Sequence, residues 1–216
     1  SKKETDYMKN LRNFFGYMLC LAIALTALSS CLNGDDEKEL TLTDADVRTI
    51  FETGQGTYEG KIYTVTENNA GTFLTKDSVR NVQLTINADS TIRVSGIPDS
   101  LYASLLNSYH AQSKAVSEEL AKQTTVQPVR SRIGALSYYD RDKTIYSYQT
   151  LIYQTTFTVT LNGQAQQVVF KNSMFALYNT RNRALQVAMK PAEIKAEKEY
   201  LRPSGNYFIF VSTAKH

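Results

Sequence analysis

The side chain best equipped for covalent chemistry is the thiol of Cys31. It follows residues 14–28, a nearly unbroken apolar run, and the small pair Ser29 and Ser30. Sulfur is the most nucleophilic of the common side-chain atoms, and small preceding residues suit a narrow processing site, so Cys31 is the natural acceptor for a transferred group. Other reactive constellations are scarce. His110 and His216 belong to no H-E-x-x-H or Cys/His spacing that would hold zinc, no G-x-S-x-G elbow surrounds a serine, and there is no phosphate-cradling glycine loop. Paired carboxylates for glycoside hydrolysis could come from separate strands. The acids near strand or turn positions, Glu59, Asp89, Asp99 and Asp140, are of the kind that usually serve turns and solvated faces. A different chemistry is offered by Tyr146 and Tyr148, which alternate onto one strand face, with Tyr138 and Tyr139 across the turn at 140–143. Flat rings with hydroxyl tips can stack on a sugar or lipid and hydrogen-bond it at once. The competing reading is that tyrosine simply forms strands in a chain without tryptophan. These four tyrosines are the ligand-binding candidates; no catalytic residue, metal site or cofactor is expected.

The elements that position these residues begin with a leader. Lys9 and Arg12 precede the apolar run, which gives a basic, then apolar, then small layout typical of a signal peptide. As a helix, fifteen residues span roughly 22 Å, short of the ~30 Å core that a permanent spanning helix must cross. Cleavage between Ser30 and Cys31 would remove residues 1–30, including Cys20, and leave Cys31 as the sole thiol, so intrachain disulfides are not expected. The mature chain would lose Lys2, Lys3, Lys9 and Arg12 from 24 basic residues and Glu4 and Asp6 from 21 acidic ones, leaving a formal charge of about +1. Such near-neutrality argues against a nucleic-acid partner. Residues 31–42 read as the attachment point and a polar, mostly acidic tether.

Residues 43–216 read as a single β-rich domain. Thr43 should cap a short helix with acids in its first turn, Val47, Ile50 and Phe51 on one side and a stop at Gly54. Strands are expected at 58–66, 82–87, 91–95, 133–139, 143–153, 157–161, 164–171, 174–178, 185–190 and 206–212. The clearest hairpin turns at Asn162-Gly163, which tolerate the positive φ of a type I′ turn and pair Phe157 with Val168 and Thr155 with Phe170. The last strand, with Tyr207 to Val211 apolar on both faces, must be covered on both sides. Between them, Pro98 ends a strand and residues 101–123 read as a helical insertion, with Tyr109, Val116 and Leu120 as a thin stripe and Glu118 placed to pair with Lys122. The segment 191–201 fits either a short helix or an edge strand. The pairs Arg130/Arg132, Arg141/Lys143 and Arg181/Arg183 read as solubilising. The fold class is mainly β: an antiparallel barrel or a two-layer sandwich, with one N-terminal helix and one helical insertion.

Leu28-Ser29-Ser30-Cys31 resembles a bacterial lipobox, which implies diacylglyceryl transfer to the Cys31 thiol and cleavage before it. The acids from Asp35 to Glu39 resemble the surface-export signal of Bacteroidetes lipoproteins, and Gly56-Thr57-Tyr58-Glu59-Gly60 resembles the opening of a calycin or lipocalin-like barrel, with Tyr in place of the usual Trp. As a whole the chain resembles Bacteroidetes cell-surface lipoproteins of unknown function. That resemblance implies anchoring in the outer membrane through lipid on Cys31, facing the cell exterior, with the periplasmic face as the alternative. The function expected is non-catalytic binding of a small amphipathic ligand, a glycan or a partner protein. The alternatives are a lipocalin-like carrier, a structural subunit of a surface assembly and a carboxylate-dependent hydrolase.

Overall fold

The computed structural model describes residues 42–67 and 73–216. The leader, the lipobox with Cys31, and the acidic tether lie outside the described residues. The body spanning Leu42–Thr66 and Leu74–His216 contains ten strands and three short helical segments.

The strands are β1 (Gly56–Glu67), β2 (Phe73–Ile86), β3 (Thr91–Ser95), β4 (Val129–Tyr138), β5 (Ile145–Thr150), β6 (Tyr153–Leu161), β7 (Gln164–Asn179), β8 (Ala184–Ala196), β9 (Glu199–Tyr200) and β10 (Asn206–Lys215). Their order is β6-β7-β5-β4-β3-β2-β1-β10-β8-β9, and β7 also pairs with β8. That extra pairing closes eight strands into an antiparallel barrel, which decides between the two architectures that the sequence left open. Strand β6 stands outside the closed ring on the amino-terminal half of β7, and β9 is a two-residue appendage of β8.

Alternation explains the lining. Tyr58 and Ile62 of β1, Leu84 of β2, Ile92 of β3, Phe170 of β7, Val187 of β8 and Phe210 of β10 are buried in one core, so the barrel interior is filled with side chains. On β10, Tyr207, Ile209 and Val211 are buried on the other face as well, as its two-faced apolar pattern demands. The expected hairpin is present with its pairing intact, Phe157 opposite Val168 and Thr155 opposite Phe170, and Asn162 and Gly163 carry φ of 52° and 76°.

Two strands run longer than their sequence signals. The segments expected at 164–171 and 174–178 are one strand, β7, interrupted only by a register shift at Lys171/Asn172. Opposite it, β8 continues through Pro191 to Ala196. Proline lacks an N–H, but β10 pairs with β8 only from Gln186 to Met189, so at Pro191 that side carries no ladder and nothing is lost. In the reverse sense, the single strand expected at 143–153 is two, because the chain leaves the ladder at Leu151 and Ile152.

Helices close the barrel at both ends. Helix α1 (Asp44–Gly54) begins with a capping box: Thr43 accepts from the Asp46 N–H, and Asp46 accepts from the Thr43 N–H at 3.0 Å. Ile50 is fully buried, whereas Val47, at the edge of the same side, is 39% exposed. At the far end a 3₁₀ turn (Asp99–Leu105) and helix α2 (Ala111–Leu120) make the helical insertion. Tyr102 of the turn sits among Phe157, Phe170 and Phe208, with ring centroids 4.7 to 5.3 Å away. Val116 and Leu120 are buried, so the insertion packs, but Tyr109 is 97% exposed and leaves the stripe. Glu118 pairs with Lys114 rather than Lys122, whose partner is Glu119.

Candidate binding site

The predicted tyrosines converge on α1. The last four carbonyls of any helix lack partners within it; here the barrel supplies donors to two of them, Thr53 and Gly54, and adds a further one at Ile50. Tyr148 donates its hydroxyl to the Ile50 carbonyl at 2.7 Å, Tyr58 to the Gly54 carbonyl at 2.5 Å, and the Lys215 ammonium to the Thr53 carbonyl at 2.7 Å. Tyr138 donates to Asp46 Oδ1 at 2.7 Å, with the Lys143 ammonium 4.7 Å above its ring. Tyr146 lies edge-on to Tyr138, at 5.6 Å, and tilted to Tyr178, at 6.3 Å. Tyr139 follows the last residue of β4 and is half-buried. Sequence alternation thus brings Tyr138, Tyr146 and Tyr148 together, as expected, but with Tyr58 and Tyr178 they form a seat for a helix. Tyr148 is fully buried, and a ligand could stack on it only with α1 lifted away.

Electrostatics reinforce this role. Burial pushes the Tyr148 and Tyr58 hydroxyls far above their ordinary pKa, and the bond to Asp46 pushes Tyr138 up to about 12, so these groups stay protonated donors. The Asp46 carboxyl is held far below the usual carboxylate range, first by Tyr138 and then by Thr43. Burial lowers the Lys215 pKa.

Two of the crevices on the outside of the described body run along β4, one at Ile133–Leu136 and one at Arg130–Arg132. One, of about 500 Å³, runs between α1 and β4 and is lined by Val47, Arg48, Phe51, Ser90 and Ile133 among others. The other, of about 660 Å³, lies where the chain breaks between β5 and β6. Its walls are Asp89, Thr91, Arg130, Ser131 and Arg132 on one side and Leu151, Ile152, Tyr153 and Gln154 on the other. Leu151 is 57% exposed and Ile152 63%, although they are adjacent apolar residues.

Why the break falls here follows from β4. Gly134 is the extra residue of a bulge between Ile133 and Ala135, and Leu151 lies across it so closely that a Cβ on Gly134 would come within 2.8 Å of the leucine. The Leu151 N–H bonds the Arg132 carbonyl at 2.9 Å, and the Ser131 hydroxyl donates to the Leu151 carbonyl at 2.7 Å. Beyond that point β6 turns onto β7 and leaves β4. Arg130 and Arg132 alternate outward with Val129 and Ser131 buried, and Arg93 of β3 stands directly opposite Arg130. Asp89 binds Arg130 at 2.5 Å. The Arg130/Arg132 pair read as solubilising therefore lines a recess. The sequence sign was the apolar Leu151-Ile152 pair breaking the alternation of a strand, opposite an Arg-x-Arg spacing that puts both cations on one face.

Among the described residues no group of His, Cys, Asp or Glu is placed to hold a metal ion, and no helix is long and apolar enough to cross a membrane. His110 precedes α2 without bonding its free N–H groups, its ring 3.4 Å from the Ser113 hydroxyl, and His216 lies 3.6 Å from Glu59.

No curated protein and no solved structure matches the chain. A family model does, across residues 53–196, which takes in β1 to β8 and the crevice at the β5–β6 break but leaves out most of α1 and all of β10. On that match, the chain belongs to the family described as Domain of unknown function (DUF4840).

Proposed function

We propose that the chain is a lipid-anchored, non-catalytic binding module of a bacterial outer membrane, of the Bacteroidetes surface type, that takes its ligand on the outer wall of the barrel. The observation that carries this reading is the crevice between β4 and the β5–β6 break. A filled interior supports wall binding over a lipocalin-like carrier, and a recess with exposed Leu151 and Ile152 beside Arg130 and Arg132 is where a protein-bound ligand would repay exposed apolar surface. Anchoring rests on Cys31 and its preceding residues, and the barrel is the cargo that the lipid holds at the surface.

Two measurements test it. Labelling cells with an alkyne fatty acid should mark the wild type and leave Cys31→Ala unmarked; equal incorporation overturns the anchor. A thermal-shift survey of glycans, amphipaths and short peptides should find a stabilising class whose effect is lost in Arg132→Glu. Shifts that are absent throughout, or unchanged in that variant, overturn wall binding.

A further inference from the structure

The crevice has a second property, which is main-chain rather than side-chain. In β4, the Ile133 N–H bonds Ser90 of the β3 side, whereas the Arg132 carbonyl accepts from Leu151 on the opposite side. Backbone direction alternates along a strand, so Arg130, two residues earlier, also presents its N–H and C=O away from β3. On the facing strand, the Thr156 and Thr158 carbonyls point away from β7 and accept from the Gln127 and Gln123 side chains, at 3.4 and 2.7 Å. Gln154 is in phase with them and presents its own N–H and C=O the same way. Thus Arg130 of β4 and Gln154 of β6 each turn main-chain groups toward the recess, and among the described residues no strand pairs with either one there. Further along β6 the glutamines cover the edge; at Gln154 the crevice leaves it open.

Charge specifies the rest. Arg93 and Arg130 are directly opposed across β3 and β4, a like-charge pairing that costs stability, and Asp89 offsets only one of them. Arg132, on the same outward face, makes no ion pair among the described residues.

We propose that this recess binds an extended, acidic peptide segment of a partner protein, which pairs its backbone with the Arg130 and Gln154 edges, lays alternate apolar side chains on Leu151 and Ile152, and directs its carboxylates to Arg93 and Arg132. This rests on the wall-binding reading and names its ligand class. Backbone pairing supplies affinity that is independent of sequence, and the arginines and the apolar pair supply the selection.

The test uses the purified full chain and a fluorescein-labelled eight-residue peptide that alternates glutamate with valine and leucine. Anisotropy should report saturable binding that weakens with added salt. It should weaken by about tenfold or more in Arg132→Glu and in Ile152→Asp, both checked for an unchanged circular dichroism spectrum. A peptide N-methylated at alternate amides keeps every charge but cannot pair as a strand, and it should not bind. Equal binding by the methylated peptide, or none by the parent, overturns the inference. So does binding of phosphatidylglycerol vesicles that depends on Arg132 while the peptide is ignored. If the peptide fails while another ligand class still stabilises the protein through Arg132, wall binding stands and only the peptide is lost; if nothing depends on Arg132, both fall.

Discussion

Gly54 shows how closely α1 is fitted to its seat. A Cβ at this position would lie 1.9 Å from the Tyr148 hydroxyl, so Gly54→Ala must either shift the ring or lift the helix end. We expect a loss of about 1–3 kcal/mol in urea unfolding, with amide exchange rising first in α1. Tyr148→Phe, which removes only the donor to Ile50, should cost about 1 kcal/mol. Asp46 adds a pH dependence. Its carboxyl is depressed in the fold, so its stabilisation is complete above the unfolded value near 4 and is lost as pH falls through the lower folded value. Acid titration of α1 protection should therefore show a transition below pH 4 that Asp46→Asn abolishes. The sequence showed Tyr146 and Tyr148 sharing a face, because alternation is local. It could not show that the Tyr148 hydroxyl ends on a carbonyl 98 residues earlier, since that partner is set by the closing of the barrel.

At the level of elements, what the sequence revealed was what neighbours decide. The Asn162-Gly163 hairpin was readable to the residue because a two-residue turn fixes its own register, and the Thr43 cap because its partner is three residues away. Gly163→Val should cost about 1–2 kcal/mol, as φ there is 76° and a β-branched residue resists it; melting temperature against wild type is the check. The gap between β5 and β6 is harder to read: Leu151 and Ile152 break the alternation, but two apolar residues can still continue a strand, and the bulge at Gly134 that takes them out of the ladder is set by a different strand. Since Ile152 is mostly exposed, Ile152→Ser should alter stability by less than about 0.5 kcal/mol while weakening any ligand of the crevice. Leu120→Ala, in contrast, removes a fully buried side chain of the insertion and should cost about 2–5 kcal/mol.

At the scale of the molecule, composition and alternation pointed to an antiparallel β body but left barrel and sandwich open, since closure depends on pairings between distant strands. The deciding contacts are β7 with β8 and β10 with β1 and β8. Tyr58 faces Lys215 across a span of nearly the whole described chain. Removing residues 206–216 should leave β1 and β8 without their shared neighbour, and an amide NMR spectrum of that truncation should collapse to unfolded dispersion; a retained native spectrum would show that the other strands close without it. Because this seam is sewn by the last strand in chain order, a nascent polypeptide still missing β10 has two raw margins and no finished wall. The barrel thus cannot close before β10 itself has been made, however early the other strands emerge.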